Sequence, residues 1–190
     1  MKKKLYHVIF ILSLFITIYF SFPFTIYADD NASALTCSSE LELEKEFASK
    51  YESENIASFS LTTLSCLTES QLKRGLQGEL AEYSNLFIEA EKEYGVNAIF
   101  LSALAALESG WGQYPNSDNS YFGWTNGDYY SNPEDSILPT AKKISEYYLS
   151  ENGRYHEGYT ISDVNIHYNG REEWEERVSN LMTQIAGEIY

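Results

Sequence analysis

Glu108 follows an uncharged run from Ala98 to Leu107 (AIFLSALAAL) and directly precedes Ser109-Gly110-Trp111-Gly112. A helix that is apolar on every side is a buried helix. The Glu108 carboxyl is therefore expected to leave the core at a helix end, in a poorly solvated place. Desolvation disfavours the charged form and raises a carboxyl pKa. An acid that still holds its proton near neutral pH is what a glycosidase needs to protonate a leaving oxygen. The glycines leave the backbone open to close approach, and Trp111 offers a flat apolar face to a sugar ring. The plainer alternative is a glutamate that simply emerges into solvent, where glutamates are normally found.

A single carboxylate leaves the attacking water unactivated unless the substrate helps. Asp128 is the first candidate for a second group, in a loop expected to face the Glu108 turn. Ordinary turn chemistry in Asn126-Gly127-Asp128 is the competing role. Glu134 and Asp135 are rivals, but both sit in the predicted first turn of a helix. There they complement the positive end of the dipole without any further duty. Tyr121, Trp124, Tyr129 and Tyr130 crowd a loop too short to bury them all. Trp111, Tyr121, Trp124 and Tyr130 are thus expected substrate contacts, Asn119 is counted with them, and Phe122 anchors the loop. Tyr168 is assigned either to the site or to the core. His156 and His167 lack metal-site spacing, and neither a phosphate loop nor a Ser-His-Asp or Cys-His set is visible. No metal and no cofactor are implied.

The elements that must hold these groups read as helices. From Thr68 onward, Leu80, Tyr83, Phe87, Ala90 and Tyr94 mark one helical face, which Gly95 ends. Asn97 caps the apolar run that carries Glu108. After a loop rich in Asn, Asp and Gly, a helix begins at Asn132-Pro133 with Pro in its first turn. Ile137, Ala141, Ile144 and Tyr148 form its buried face. A short element over Thr160–Tyr168 follows, then a last helix with Trp174, Val178, Leu181, Ile185 and Ile189 on one side. The acidic residues flanking Trp174 read as a solvated face. Apart from a small hairpin expected near residues 121–131, the fold class is mainly α.

The N-terminal third differs in kind. Lys2–Lys4 and the apolar run Leu5–Tyr27 make residues 1–28 a secretory signal peptide. An uncleaved anchor is the alternative, since about 20 apolar residues span a bilayer. Residues 29–68 read as a charged appendage, with Leu43, Phe47 and Tyr51 on a narrow helical stripe. In an oxidising compartment Cys37 and Cys66 favour a disulfide, worth roughly 3–4 kcal/mol by loop closure; two free thiols are the alternative. The remaining 69–190 form one catalytic domain.

Charge narrows the partners. With 13 Lys+Arg against 28 Asp+Glu, the chain carries a net charge of −15. Loss of residues 1–28 removes three lysines and no acid, taking the balance to 10 minus 28, or −18. That excludes a basic nucleic-acid footprint and gives no reason to adhere to anionic membranes or polymers. The chain is 44% hydrophobic and 15% aromatic, too apolar for a disordered acidic tail.

Taken together, EAEKEYGVNAIFLSALAALESGWG (Glu89–Gly112), YFGW (Tyr121–Trp124), EDSI (Glu134–Ile137), Tyr148-Leu149 and GYTISDVNIHY (Gly158–Tyr168) resemble a known family. This is the mannosyl-glycoprotein endo-beta-N-acetylglucosaminidase-like domain of glycoside hydrolase family 73, over about residues 69–185. The resemblance implies a lysozyme-like α fold, with at most a small β lobe, that hydrolyses the β-1,4 bond after N-acetylglucosamine in peptidoglycan. The family's general acid falls on Glu108, an aspartate beyond its FG pair on Asp128, and its site tyrosine on Tyr168. The chain departs from the pattern at Asn119-Ser120-Tyr121, in the five residues between Asp128 and EDSI, and at Asn169-Gly170-Arg171. The expected partner is the peptidoglycan glycan strand, met by an extracytoplasmic monomer that touches a membrane only if the leader is retained. A lytic transglycosylase using Glu108 alone, or a glycan-binding component without activity, are the alternatives.

Overall fold

An apolar helix in the middle of the chain dictates the packing around it. In the computed structural model, which describes residues 56–123 and 130–189, this is α3, Ala98–Ser109. Before it come α1 (Glu69–Gly75) and α2 (Ser84–Tyr94), the latter entered through a 3-10 turn over Gly78–Tyr83. After it come α4 (Glu134–Ile144), α5 (Ile161–Tyr168) and α6 (Glu172–Gly187). No strand occurs among the described residues. The expected hairpin falls largely on residues 124–129, outside them. All described residues belong to one compact unit, Leu35–Tyr190. None of their helices is long and apolar enough to cross a membrane.

Local chemistry sets the helix ends. Thr68 and Gln71 form a capping box at α1, and Thr160 and Asp163 form one at α5. The Asn97 side chain accepts from the Phe100 amide at 3.0 Å and starts α3. Gly110, with φ of 59°, ends α3 in the left-handed region that glycine adopts without a Cβ penalty. Ala98 to Ala106 are all buried, as a helix without charge requires. α3 lies along α6 and α2 along α4, while α1 touches α2 and α6, and α5 docks on α6. On α6 the buried residues are Trp174, Val178, Met182, Ile185 and Ala186. Met182 takes the core position expected of Leu181, which is only half-buried and turns toward a surface groove.

The end of the segment read as an appendage contributes to this core. Leu61 is fully buried, its amide donates to the Tyr159 carbonyl at 2.7 Å, and its carbonyl accepts from the Asn97 amide at 2.9 Å. Ser65 hydrogen bonds to Glu91 of α2. The irregular Ser/Thr/Leu composition of residues 56–68 carries no periodic signal, so these tertiary contacts leave no trace in the pattern. The leader, the Leu43–Tyr51 stripe and Cys37 lie outside the described residues, and so does the Cys37–Cys66 pairing.

Candidate active site

The left-handed turn at Gly110 carries the chain away from α3 just as Glu108 reaches the surface. One carboxyl oxygen of Glu108 accepts from the Tyr168 hydroxyl and the other from the Gly123 amide. Tyr168 arrives from the last turn of α5, and Gly123 from the loop after α3. A Cβ on Gly123 would lie 2.8 Å from Glu108 Oε2, so a bare backbone is what lets this amide meet the acid. Burial pushes the Glu108 carboxyl above the usual carboxylate range. The two hydrogen bonds, which favour the charged form, offset only part of that. Burial and the neighbouring Glu108 charge push the Tyr168 phenol well up, so it stays a donor.

Aromatic rings hold Tyr168 in place. Its ring lies 5.0 Å from that of Trp174 and 6.0 Å from that of Tyr148. Tyr148 sits in a π-helical turn, Ser145–Leu149, that extends α4 and buries it. At the chain reversal after Tyr168, the Asn165 amide donates to the Arg171 carbonyl at 2.8 Å and its Oδ1 accepts from Gly170 N at 3.1 Å.

A cavity of about 290 Å³ opens over the acid, lined by Leu107, Glu108, Gly123, Tyr168, Trp174 and Arg177 among others. Two neighbours share its walls. One of about 510 Å³ runs past Trp174 and Arg177 to Arg171 and Glu173. The other, of about 380 Å³, runs past Leu107 and Arg177 to Gly110, Trp111, Leu181 and Gln184. The three make a groove along the flank of α6 with the acid at its centre.

Trp111 lines that groove in a left-handed backbone conformation, with φ of 63°. Its carbonyl accepts from the Glu79 amide at 3.1 Å, and Gly78 passes so close that a Cβ there would lie 2.5 Å from this oxygen. Non-glycine residues hold such backbone only when their surroundings over-determine it.

Three expected contacts do not line these cavities. Tyr121 is 1% exposed and packs its ring 5.5 Å from Tyr83, so it fills core beside Phe122 and does not line the groove. The Asn119 amide donates to the Tyr130 carbonyl at 2.9 Å, tying together the two ends of the loop. Neither Asn119 nor Tyr130 lines any of the three cavities. Trp124 and Asp128 lie outside the described residues. Glu134 and Asp135 are exposed in the first turn of α4 and away from the groove. Sequence reasoning missed Gly123, Trp174 and Arg177 as parts of the site. The only available signal was the i, i+3, i+7 spacing of Trp174, Arg177 and Leu181, which core packing explains equally well.

A helical domain with a half-buried carboxylic acid at the foot of a surface groove is the arrangement of a lysozyme-like glycosidase. Residues 84–187 match the family described as mannosyl-glycoprotein endo-beta-N-acetylglucosaminidase, and the chain belongs to that family of glycoside hydrolases. Two proteins from Streptococcus pneumoniae strains, provisionally named endo-beta-N-acetylglucosaminidase, are each 33% identical to it over 109 residues. The match covers 52% of this chain but only 16% and 15% of those relatives. Among solved structures, S. aureus autolysin E in complex with the muropeptide NAM-L-Ala-D-iGlu shares the fold, with a TM-score of 0.59 at 20% identity. That likeness covers 74% of this chain and 76% of the other.

Proposed function

We propose that this protein is an extracytoplasmic peptidoglycan hydrolase that cleaves the β-1,4 bond after N-acetylglucosamine, with Glu108 as general acid. The observation that carries this reading is the Glu108 carboxyl itself. It is held from two sides, raised in pKa by burial, and faces a cavity inside a groove. Glu108 gives its proton to the glycosidic oxygen as the bond to the sugar C1 breaks. Tyr168 and Gly123 then stabilise the carboxylate left behind, through hydrogen bonds to a charged group. Asp128, or the substrate's own acetamido oxygen, stabilises the oxocarbenium-like centre until water adds at C1 and gives up a proton, which restores the Glu108 acid. Trp111 and Trp124 supply flat faces to the sugars. Residues 1–28 deliver the chain as a cleaved signal or a retained anchor, and a Cys37–Cys66 disulfide braces the segment before the 69–190 domain.

A second reading has its own support. Among the described residues, Glu108 is the only carboxylate on the central cavity. A lytic transglycosylase works with one acid and leaves an anhydro end in place of a reducing end. Mass spectrometry of digested cell-wall sacculi separates the two, because hydrolysis yields reducing N-acetylglucosamine ends. Wild type that lyses walls, with Glu108→Gln that binds without lysing, supports catalysis by this acid. Wild type that binds glycan and releases nothing would leave only a glycan-binding role.

A further inference from the structure

Among the described residues, Arg177 alone lines all three cavities of the groove. Its side chain is exposed, and it forms no ion pair with any described residue. Glu173, one turn earlier on α6, lines the outer cavity beside it without closing such a pair. Arg171, also without an ion pair among the described residues, lines that outer cavity too. The setting gives this weight. The chain has 28 acidic and only 13 basic residues, so two unpaired guanidiniums in its catalytic groove are not part of a generally basic face. From Glu108 outward past Trp174, the wall changes from an acid and aromatic rings to two guanidiniums, with Glu173 the one carboxylate beside them among the described residues.

A guanidinium is planar and offers paired donors that match a carboxylate. We infer that Arg177 reads a carboxylate on the glycan, assisted by Arg171, and so sets the preference of the groove for acidic over neutral strands. This rests on the glycan-hydrolase reading of the same groove. A sugar held over Trp174 and Glu108 brings the substituent of an adjoining residue into the outer cavity. In peptidoglycan that substituent ends either in the lactyl carboxyl of muramic acid or in the carboxylates of its stem peptide. Both sources present the same chemistry to Arg177.

The test uses the full chain and three strands of equal length. The first carries intact stem peptides, the second is stripped to the free lactyl carboxyl, and the third is stripped and converted to the neutral methylamide. Binding is measured calorimetrically on the Glu108→Gln protein, and kcat/KM on the protein with Glu108 in place. The expected result is binding of a carboxylate strand about 10- to 100-fold tighter than of the methylamide, the range of one hydrogen bond to a charged group. Arg177→Gln should collapse that ratio to near one, mainly through KM, and Arg177→Lys should restore part of it. Dependence on Arg177 for peptide-bearing strands alone assigns the carboxylate to the peptide. Equal binding of all strands, or a preference that survives Arg177→Gln, overturns the inference even if cleavage is normal. Carboxylate-dependent binding without cleavage would sink the hydrolase reading and leave the role of Arg177 standing. No binding to any strand would overturn both.

Discussion

Two glutamates on neighbouring helices have carboxyls raised by burial, yet only one faces a groove. Glu91, on α2, is 4% exposed and enclosed by donors. Its oxygens accept from Ser65 N at 2.7 Å, Ser65 Oγ at 2.8 Å and Ala98 N at 2.8 Å. It thereby binds the segment before α1 to the first turn of α3. Glu108, at the other end of α3, accepts from one hydroxyl and one amide and keeps a side open to a cavity. A raised pKa therefore does not by itself mark the acid of the reaction. The distinguishing feature is space beside the carboxyl where a substrate atom fits, with donors arranged around the remainder.

Four experiments test that contrast. Glu108→Gln should lower kcat by about 10³-fold, within the range that general acid catalysis contributes, with glycan binding retained. Normal turnover by this variant would remove Glu108 from the chemistry. Glu91→Ala should do the reverse and cost about 2–4 kcal/mol in urea unfolding, because it leaves buried amides without an acceptor. A change in the kcat of its folded fraction would mean that the two carboxyls are coupled through α3.

Tyr168→Phe comes next, with an expected loss of about 10- to 100-fold in kcat from removing a hydrogen bond to a charged group. That bond favours ionised Glu108, so its removal should move the alkaline limb of the pH–rate profile upward. An unmoved limb would separate Tyr168 from the acid. The smallest effect concerns stability. A carboxyl whose folded pKa is raised contributes stability below its unfolded pKa and loses it as pH rises through the folded value. Each unit of elevation is worth about 1.4 kcal/mol. Glu108→Gln should therefore gain melting temperature relative to wild type as pH rises from the unfolded value through the raised one, level off above it, and lose the difference in acid.

Much of the scaffold was legible from residue pattern because its causes are local. The uncharged run of α3, the Asn97 cap and the stop at Gly110 each depend on a few adjacent residues, and all three occur as expected. The aromatic loop was less legible. Tyr121 and Trp111 are both aromatics beside glycine-containing turns, but one is buried against Tyr83 and the other lines the groove. Composition does not separate those fates, because the choice depends on which ring finds a packing partner on another helix.

Residue order alone therefore specifies a buried helix that delivers one desolvated acid to a sharp turn, together with the family that such a motif defines. Its causes lie within about a turn of each residue, in side-chain polarity and backbone preference. The company that acid keeps is set by packing between helices distant in sequence. The Tyr168 hydroxyl comes from 60 residues away, the Gly123 amide approaches where a Cβ would intrude, and Arg177 projects from α6 along the whole groove. Those contacts arise from how α3, α5 and α6 pack, and helical periodicity records which face is buried without recording what lies across from it.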